Sequence, residues 1–198
     1  MASYKAINGV MSELMEYLKR RLPDELESGP INAKIELFSS QRLAGNISGN
    51  VIGIYLYRVL VDSYGRNRYL TPGGGGPQTP QPELPVNLHF LLVVYGSNTQ
   101  NEMDLLAWAM QQLSGAVTLD AGNLRDIDPS WNPKETVQIT PEDLSTEDLF
   151  RIWEVLKADY TVSIPYVAKT IRLLPDPPLR DNTPVKTRVF ESGEKDDG

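Results

Sequence analysis

Two long apolar segments near the middle of the chain constrain the fold more than any other feature. Residues 51–62 read VIGIYLYRVLVD and residues 86–95 read VNLHFLLVVY, so an extended chain carries apolar side chains on both faces. Such strands lie inside a sheet or are covered on both sides. We therefore predict that the two segments pair antiparallel as a long hairpin. Alternation assigns four side chains to one face of the first strand: Ile52, Ile54, Leu56 and Arg58.

The segment that connects these strands is rich in glycine and proline. Residues 72–77 read PGGGGP, and Arg66 and Arg68 precede them. Four consecutive glycines bury nothing, so residues 71–82 are predicted to form a flexible loop at the tip of the hairpin, which either stays mobile or becomes ordered against a partner. A phosphate-binding loop is not supported, because no GK[ST] sequence follows the glycines.

The region from residue 137 to residue 174 combines a short strand, a capped helix and two further strands. Thr140 and Ser145 each begin a helix-start signal, and the apolar residues from Leu149 to Leu156 recur at helical spacing. Residues 160–166 then alternate as a strand, and residues 170–174 form the last strand. Because Pro165 cannot donate to a ladder, we predict that its strand is interrupted there or lies at a sheet edge.

The remaining pattern predicts an α+β fold, a mostly antiparallel mixed sheet packed by about three helices. Residues 4–18 form an amphipathic helix that ends near Pro23, residues 31–38 a strand, and a second helix starts near Asn101. Residues 117–133 are expected to be irregular. Residues 1–174 thus form one domain.

Residues 175–198 form a proline-rich, charged tail that we expect to be disordered in the isolated protein. Residues 185–190 alternate enough to form an extended arm that pairs with a neighbouring protein. The alternative is a solubilising tail. Three residues of this arm are candidate interface residues: Val185, Arg188 and Phe190.

Composition excludes several classes of protein. The net charge is −7, from 19 basic and 26 acidic residues, which argues against nucleic acid and anionic membrane surfaces as partners. Without cysteine, disulfides, thiolate zinc sites and cysteine nucleophiles are excluded. The first 21 residues show no apolar core of a signal peptide, and no segment is long and apolar enough for a membrane span.

Few residues have the chemistry of a catalytic or metal site. The only histidine, His89, lies within an apolar strand and is interpreted as structural. Glu142, Asp143, Glu147 and Asp148 are acidic, but helix capping explains them better than metal binding or hydrolysis. We therefore predict no catalytic, cofactor or metal residues. Trp131 lies in a loop and is either buried or an exposed interface anchor.

Residues 139–166 carry the most specific resemblance to a known family. They read ITPEDLSTEDLFRIWEVLKADYTVSIPY and resemble the pattern V-x-x-T-P-E-x-L-S-x-E-E-L-x-x-L-W followed by Y-x-x-S-x-x-Y. The first helix and the two long strands agree with the same family. On this basis the chain resembles the tail-terminator, or cap, proteins of extracellular contractile injection systems. Ile152 stands where the family often has leucine, and many members continue into a second domain.

The resemblance implies a structural protein that is not an enzyme and needs no cofactor. The resemblance implies a ring-forming subunit. Six copies would cap the inner tube and the sheath, stop their polymerisation and link the two. The implied partners are therefore other copies of the chain, the inner tube protein and the sheath protein, after assembly in the bacterial cytoplasm. The candidate contact residues in the first part of the chain are Arg66, Arg68 and Trp131.

Two alternatives remain open at this stage. A neck or adaptor protein of a related phage tail would share the fold class but have different neighbours. A small hydrolase or ligand-binding module would need a convergent polar pocket, and the sequence shows no sign of one.

Overall fold

The two long apolar segments form the centre of a six-stranded sheet in the computed structural model, which describes residues 2–64, 83–115 and 117–174. In chain order the strands are β1 (Lys34–Phe38), β2 (Val51–Val61), β3 (Leu84–Tyr95), β4 (Val117–Leu119), β5 (Val137–Pro141) and β6 (Ser163–Leu173). Their spatial order is β1-β2-β3-β6-β5-β4. The pair β1–β2 is parallel and the other pairs are antiparallel, so the predicted mixed sheet and the β2–β3 pairing are confirmed.

Six helices accompany the sheet in the described part of the chain. Three are long, and the other three have four to seven residues. They are α1 (Ala6–Lys19), α2 (Asp24–Glu27), α3 (Ser40–Leu43), α4 (Thr99–Gln112), α5 (Ala121–Ile127) and α6 (Thr146–Leu156). The α+β class and the three main helices agree with the sequence prediction.

The sheet separates two hydrophobic cores of unequal size. On one face, which we call the main face, α1 and α4 cover the sheet through residues such as Leu14 and Leu105. On the opposite face, which we call the second face, α6 packs Trp153 onto Leu91 and Val93 of β3. The indole nitrogen of Trp153 donates a hydrogen bond to Ser163 Oγ at 3.0 Å. The long strands are therefore covered on both faces over much of their length.

The faces of β2 differ from the prediction in its second half. The pairing with β3 shifts by one residue between Leu56 and Arg58. Beyond the shift Arg58 lies opposite His89, and Val59 lies opposite Leu88. Paired residues share a face of the sheet, so Arg58 lies on the second face and Val59 on the main face. Strict alternation placed Arg58 on the opposite face, because a sequence pattern does not reveal a one-residue insertion.

The prediction that Pro165 interrupts its strand or lies at a sheet edge is wrong. It lies within the continuous strand β6, which is paired on both sides by β3 and β5 and is not an edge. The Pro165 carbonyl accepts a hydrogen bond from the Glu142 amide at 3.0 Å. A residue's amide and carbonyl point to the same neighbouring strand, and β5 ends at Pro141 on that side. The backbone nitrogen of Pro165 therefore faces the chain just beyond the last residue of β5. Its lack of an N–H costs no hydrogen bond of the β5–β6 ladder.

Two local predictions also require correction. Residues 117–133 are not irregular throughout, because they contain β4 and α5. Of the two predicted helix starts only the second is used, since the Ser145 hydroxyl accepts a hydrogen bond from the Asp148 amide and caps α6. Thr140 and Pro141 belong to β5 instead. Pairing with β6 outweighs the local capping preference of these two residues.

Candidate functional site

A cluster of three polar side chains lies on the second face of the sheet. His89 Nδ1 lies 2.7 Å from Glu142 Oε1, and the Tyr57 hydroxyl donates to Glu142 Oε2 at 2.7 Å. The Tyr57 and His89 rings meet edge to face, with centroids 6.2 Å apart. Tyr57 is on β2, His89 on β3, and Glu142 follows β5. The carboxylate thus connects three parts of the sheet, and we call these residues the polar cluster.

The environment of the polar cluster favours structure over reactivity. Burial is the main reason that the pKa of Tyr57 is raised above its usual value, and the hydrogen bond to Glu142 raises it further. The hydroxyl therefore stays protonated and donates at neutral pH. His89 Nε2 is buried and has no hydrogen-bond partner. Among the described residues, the hydrogen bonds of the cluster join a carboxylate, a phenol and an imidazole, and none of them involves a serine, threonine or cysteine side chain.

Two of the four acidic residues lie at a helix start, as the sequence predicts. Ser145 donates to Asp148 Oδ2 at 2.7 Å, and Glu147 pairs with Arg151 one turn later. Glu142 and Asp143 precede α6 and lie outside any helix, so their predicted capping role is wrong. Glu142 belongs instead to the polar cluster. Among residues 2–64, 83–115 and 117–174, no group of three or more His, Asp or Glu side chains is placed to hold a metal ion.

Trp131 lies in the main core, with only 3% of its surface exposed. Its indole nitrogen donates to the Glu135 carbonyl at 3.2 Å, and its amide donates to the Asp128 carbonyl. The expectation of burial is therefore confirmed, and the alternative of an exposed anchor is wrong. Both nitrogens of Trp131 thus have hydrogen-bond partners although the residue is buried.

Asp128 fastens this loop to the start of the chain. Its Oδ2 accepts hydrogen bonds from the Ser3 amide at 2.7 Å and the Ser3 hydroxyl at 2.9 Å, and its Oδ1 accepts from the amide and hydroxyl of Ser130. Burial acts to raise the pKa of Asp128, but these hydrogen bonds together outweigh it and lower the pKa. Asp128 is a buried structural carboxylate that composition alone did not identify.

Two exposed apolar surfaces stand out in the described part of the chain. The first, which we call the β2 patch, consists of three consecutive residues on β2 that are 39–44% exposed: Val59, Leu60 and Val61. The second, which we call the α6 patch, consists of Phe150 and Tyr160 at 50% exposure and Val155 at 82%. Groups of exposed large apolar side chains are found at protein–protein contacts.

A cleft of about 520 Å³ lies beside the α6 patch. Tyr55 and Tyr57 of β2 form one wall, and Ile152 and Leu156 of α6 form the other. Arg58, Asp148 and Arg151 add charge at its border. Six of the nine lining residues are apolar or aromatic, and Val155 of the α6 patch is one of them.

The other candidate residues fall outside the described ranges. Arg66, Arg68, Val185, Arg188 and Phe190 lie there, as do the glycine-rich loop at 71–82 and the tail at 175–198. Their interface roles stay predictions. Within the described ranges, no helix is both long and apolar enough to span a membrane.

Sequence reasoning missed the polar cluster and the β2 patch. Glu142 and His89 are 53 residues apart, and only the sheet order brings them together. The β2 patch had a weak signal, because β2 was predicted to be longer than the strand before it. A strand longer than its neighbour leaves part of its edge uncovered.

Comparison with known families gives one clear result. A family model described as the Pvc16 N-terminal domain matches residues 9–187 of the 198-residue chain. The matched range begins within α1 and includes all six strands. A search of curated proteins returned no significant match.

Two solved structures have a similar fold. The PVC sheath/tube terminator of an extracellular contractile injection system, in its extended state, superposes with a TM-score of 0.56 and 17% identity. The tube-terminating cap of the anti-feeding prophage superposes with a TM-score of 0.52 and 15% identity. Each likeness covers 96% of this chain, but only 64% and 61% of those chains, respectively. At such identities the likeness shows a shared fold.

Proposed function

The chain belongs to the Pvc16 N-terminal domain family, and on that basis we propose that it is the structural cap, or tail terminator, of a contractile injection system. It forms a ring on the distal end of the inner tube and sheath, ends their polymerisation and links them. The observation that carries the proposal is the family match over residues 9–187, in agreement with the fold shared with two terminators.

The surface of the subunit supports a role in assembly. The β2 patch and the α6 patch leave six large apolar side chains exposed in the isolated subunit. An isolated soluble protein gains nothing from this exposure, whereas a subunit buries such surface against its neighbours. The inner tube protein, the sheath protein and further copies of this chain are the proposed partners, in a homohexameric ring.

The contacts of the polar side chains support a function without catalysis. The polar cluster connects β2, β3 and the residue after β5, and Asp148 bonds to Ser145, the cap of α6. The proposed subunit needs no cofactor and binds no nucleic acid, in keeping with its net charge of −7. It assembles in the bacterial cytoplasm and then remains part of the particle.

Deletion of the gene tests the proposal through particle length. Without a terminator, growth of the tube and sheath is no longer stopped at one length, so electron micrographs of purified particles should show a broad length distribution. Complementation with the intact chain should restore uniform lengths. Uniform particles with normally closed ends in the deletion strain would contradict the proposal.

A further inference from the structure

Among the described residues, the outer half of β2 has an open backbone edge. On one side β2 pairs with β3 along its length, but on the other side β1 reaches only from Val51 to Tyr55. No strand in the described ranges pairs with residues 56–61 on that side. An open strand edge accepts further strands, and natural proteins normally cover or charge it.

The backbone direction identifies which groups are free to pair. The Asp62 amide donates to the Pro85 carbonyl of β3 at 2.9 Å, so the backbone of Asp62 points toward β3. Neighbouring residues of a strand point to opposite sides, and Val61 lies opposite Val86 in the continuing register. The amides and carbonyls of Val61 and Val59 therefore point outward, away from β3. These groups can pair with an added strand, and they lie beside the exposed apolar side chains.

The opposite end of the chain leaves the sheet at the same side. Leu173, the last residue of β6, lies opposite Leu84, the first residue of β3. Val61 lies opposite Val86, so β2 ends near the same place. The tail therefore starts at the end of the sheet where the open half of β2 lies.

The tail contains a segment that matches the edge in length and in side chains. Residues 185–190 read VKTRVF, six residues for the six at positions 56–61. Val185, Thr187 and Val189 alternate on one face of an extended chain. Beside the edge they can lie on the main face, next to Val59 and Val61, where β-branched cross-strand neighbours stabilise a pair.

The spacer favours a second copy of the chain over the same copy. The ten residues 175–184 contain four prolines, a composition that favours an extended chain of about 31 Å. The open position beside β2 of the same copy is only three strand spacings, about 14 Å, from β6. An extended chain of ten such residues spans about twice the distance to the edge of its own copy, which favours the edge of a neighbour.

We propose that residues 185–190 of one copy add as a further strand to residues 56–61 of β2 in a second copy. The contact is head-to-tail, so each copy gives an arm and receives one, and such contacts form a ring where the rotation between neighbours closes. The inference deepens the proposed cap function by naming a contact between ring subunits. The contact is tested on the purified chain, whereas the cap function is tested in the particle. A failure of one proposal can therefore be distinguished from a failure of the other.

Engineered disulfides in the full chain, which has no cysteine of its own, test this contact directly. Val59→Cys is combined in turn with Val185→Cys, Thr187→Cys or Val189→Cys, and oxidised protein is separated on a non-reducing gel. We expect at least one pair to give a ladder of cross-linked multimers. A cross-link within one chain would overturn the proposal, and so would the absence of any cross-link, for example because another segment covers the edge.

A matched pair of variants separates backbone pairing from side-chain contact. Val59→Pro removes an outward N–H, whereas Val59→Ala keeps it and removes only apolar surface. In light scattering of the full chain, we expect Val59→Pro to weaken self-association at least tenfold and Val59→Ala to weaken it less. Equal association of Val59→Pro and the unaltered chain, with circular dichroism showing an intact fold, would overturn the proposal. If circular dichroism shows that Val59→Pro has not folded, truncation after Leu174 replaces it, and undiminished association would likewise overturn the proposal.

Discussion

His89 on β3 and Glu142 after β5 are joined at 2.7 Å, although strand β6 lies between β3 and β5 in the sheet. The bond therefore bridges the second face across the intervening strand. Tyr57 extends the connection to β2 through the other carboxylate oxygen. Buried polar groups that are bonded in this way fix a sheet in one arrangement, since any slip leaves them unpaired.

The polar cluster should contribute measurably to stability. Glu142→Ala leaves Tyr57 and His89 without their acceptor, so we expect a loss of about 1–3 kcal/mol in the free energy of unfolding. His89→Gln keeps a donor for the carboxylate and should cost about 1 kcal/mol or less. The measurement is urea denaturation followed by circular dichroism.

Glu147→Ala provides the matched control. Glu147 also pairs with a cation, Arg151, but this pair is on the surface, so its loss should cost no more than about 0.5 kcal/mol. If Glu142→Ala cost no more than Glu147→Ala, the polar cluster would have no structural role.

Asp128 should make stability depend on pH in the acid range. Its folded pKa is lowered, so the ionised form is favoured by folding, and its contribution is fully present above the unfolded pKa of about 3.9. The contribution is lost as the pH falls through the still lower folded pKa. Denaturation midpoints of the unaltered chain and Asp128→Asn should therefore differ at pH 7 and converge toward pH 3. A difference that stays constant with pH would contradict this assignment.

Gly53 on β2 should tolerate no side chain. A Cβ at this position would overlap the ring of Phe38, which packs across from β1. We expect Gly53→Ala to destabilise the fold by about 1–3 kcal/mol, because the ring must move within a packed core. Gly122→Ala is the control, since Gly122 lies in α5 with open space around it and should gain up to about 1 kcal/mol. Similar melting temperatures for the two variants would show that the Phe38 contact is absent.

Substitution in the α6 patch should reduce assembly into the particle without lowering the stability of the isolated subunit. Val155 is 82% exposed, so Val155→Ser should leave the melting temperature of the isolated chain within about 2 °C. We expect less of this variant than of the unaltered chain in purified particles, measured by quantitative mass spectrometry. Gln111→Ser, on the exposed side of α4, is the control for a surface substitution. Full incorporation of Val155→Ser would exclude the patch from assembly.

The central hairpin and the long helices could be predicted because their signals are local. Residues 51–61 and 86–95 are apolar enough to require burial wherever the rest of the chain lies. The stripe of α6 and the Ser145 cap likewise depend only on nearby residues. The resemblance of residues 139–166 to cap proteins is also a local signal, and it led to the family that the comparison confirms.

The features that were wrongly predicted depend on contacts between distant segments of the chain. Pro165 is acceptable inside the sheet only because β5 ends beside it, and this cannot be seen in its own neighbourhood. Thr140 and Pro141 have a helix-start pattern that pairing with β6 overrides. Glu142 was assigned to capping for the same reason, since its partners come from β2 and β3.

The most direct test of the cap function is a cryo-EM reconstruction of purified particles that carry this chain. We predict that density matching the six-stranded sheet forms a sixfold ring at the distal end, in contact with both the inner tube and the sheath. A subunit found at the baseplate, or a terminal ring built from a different protein, would contradict the account.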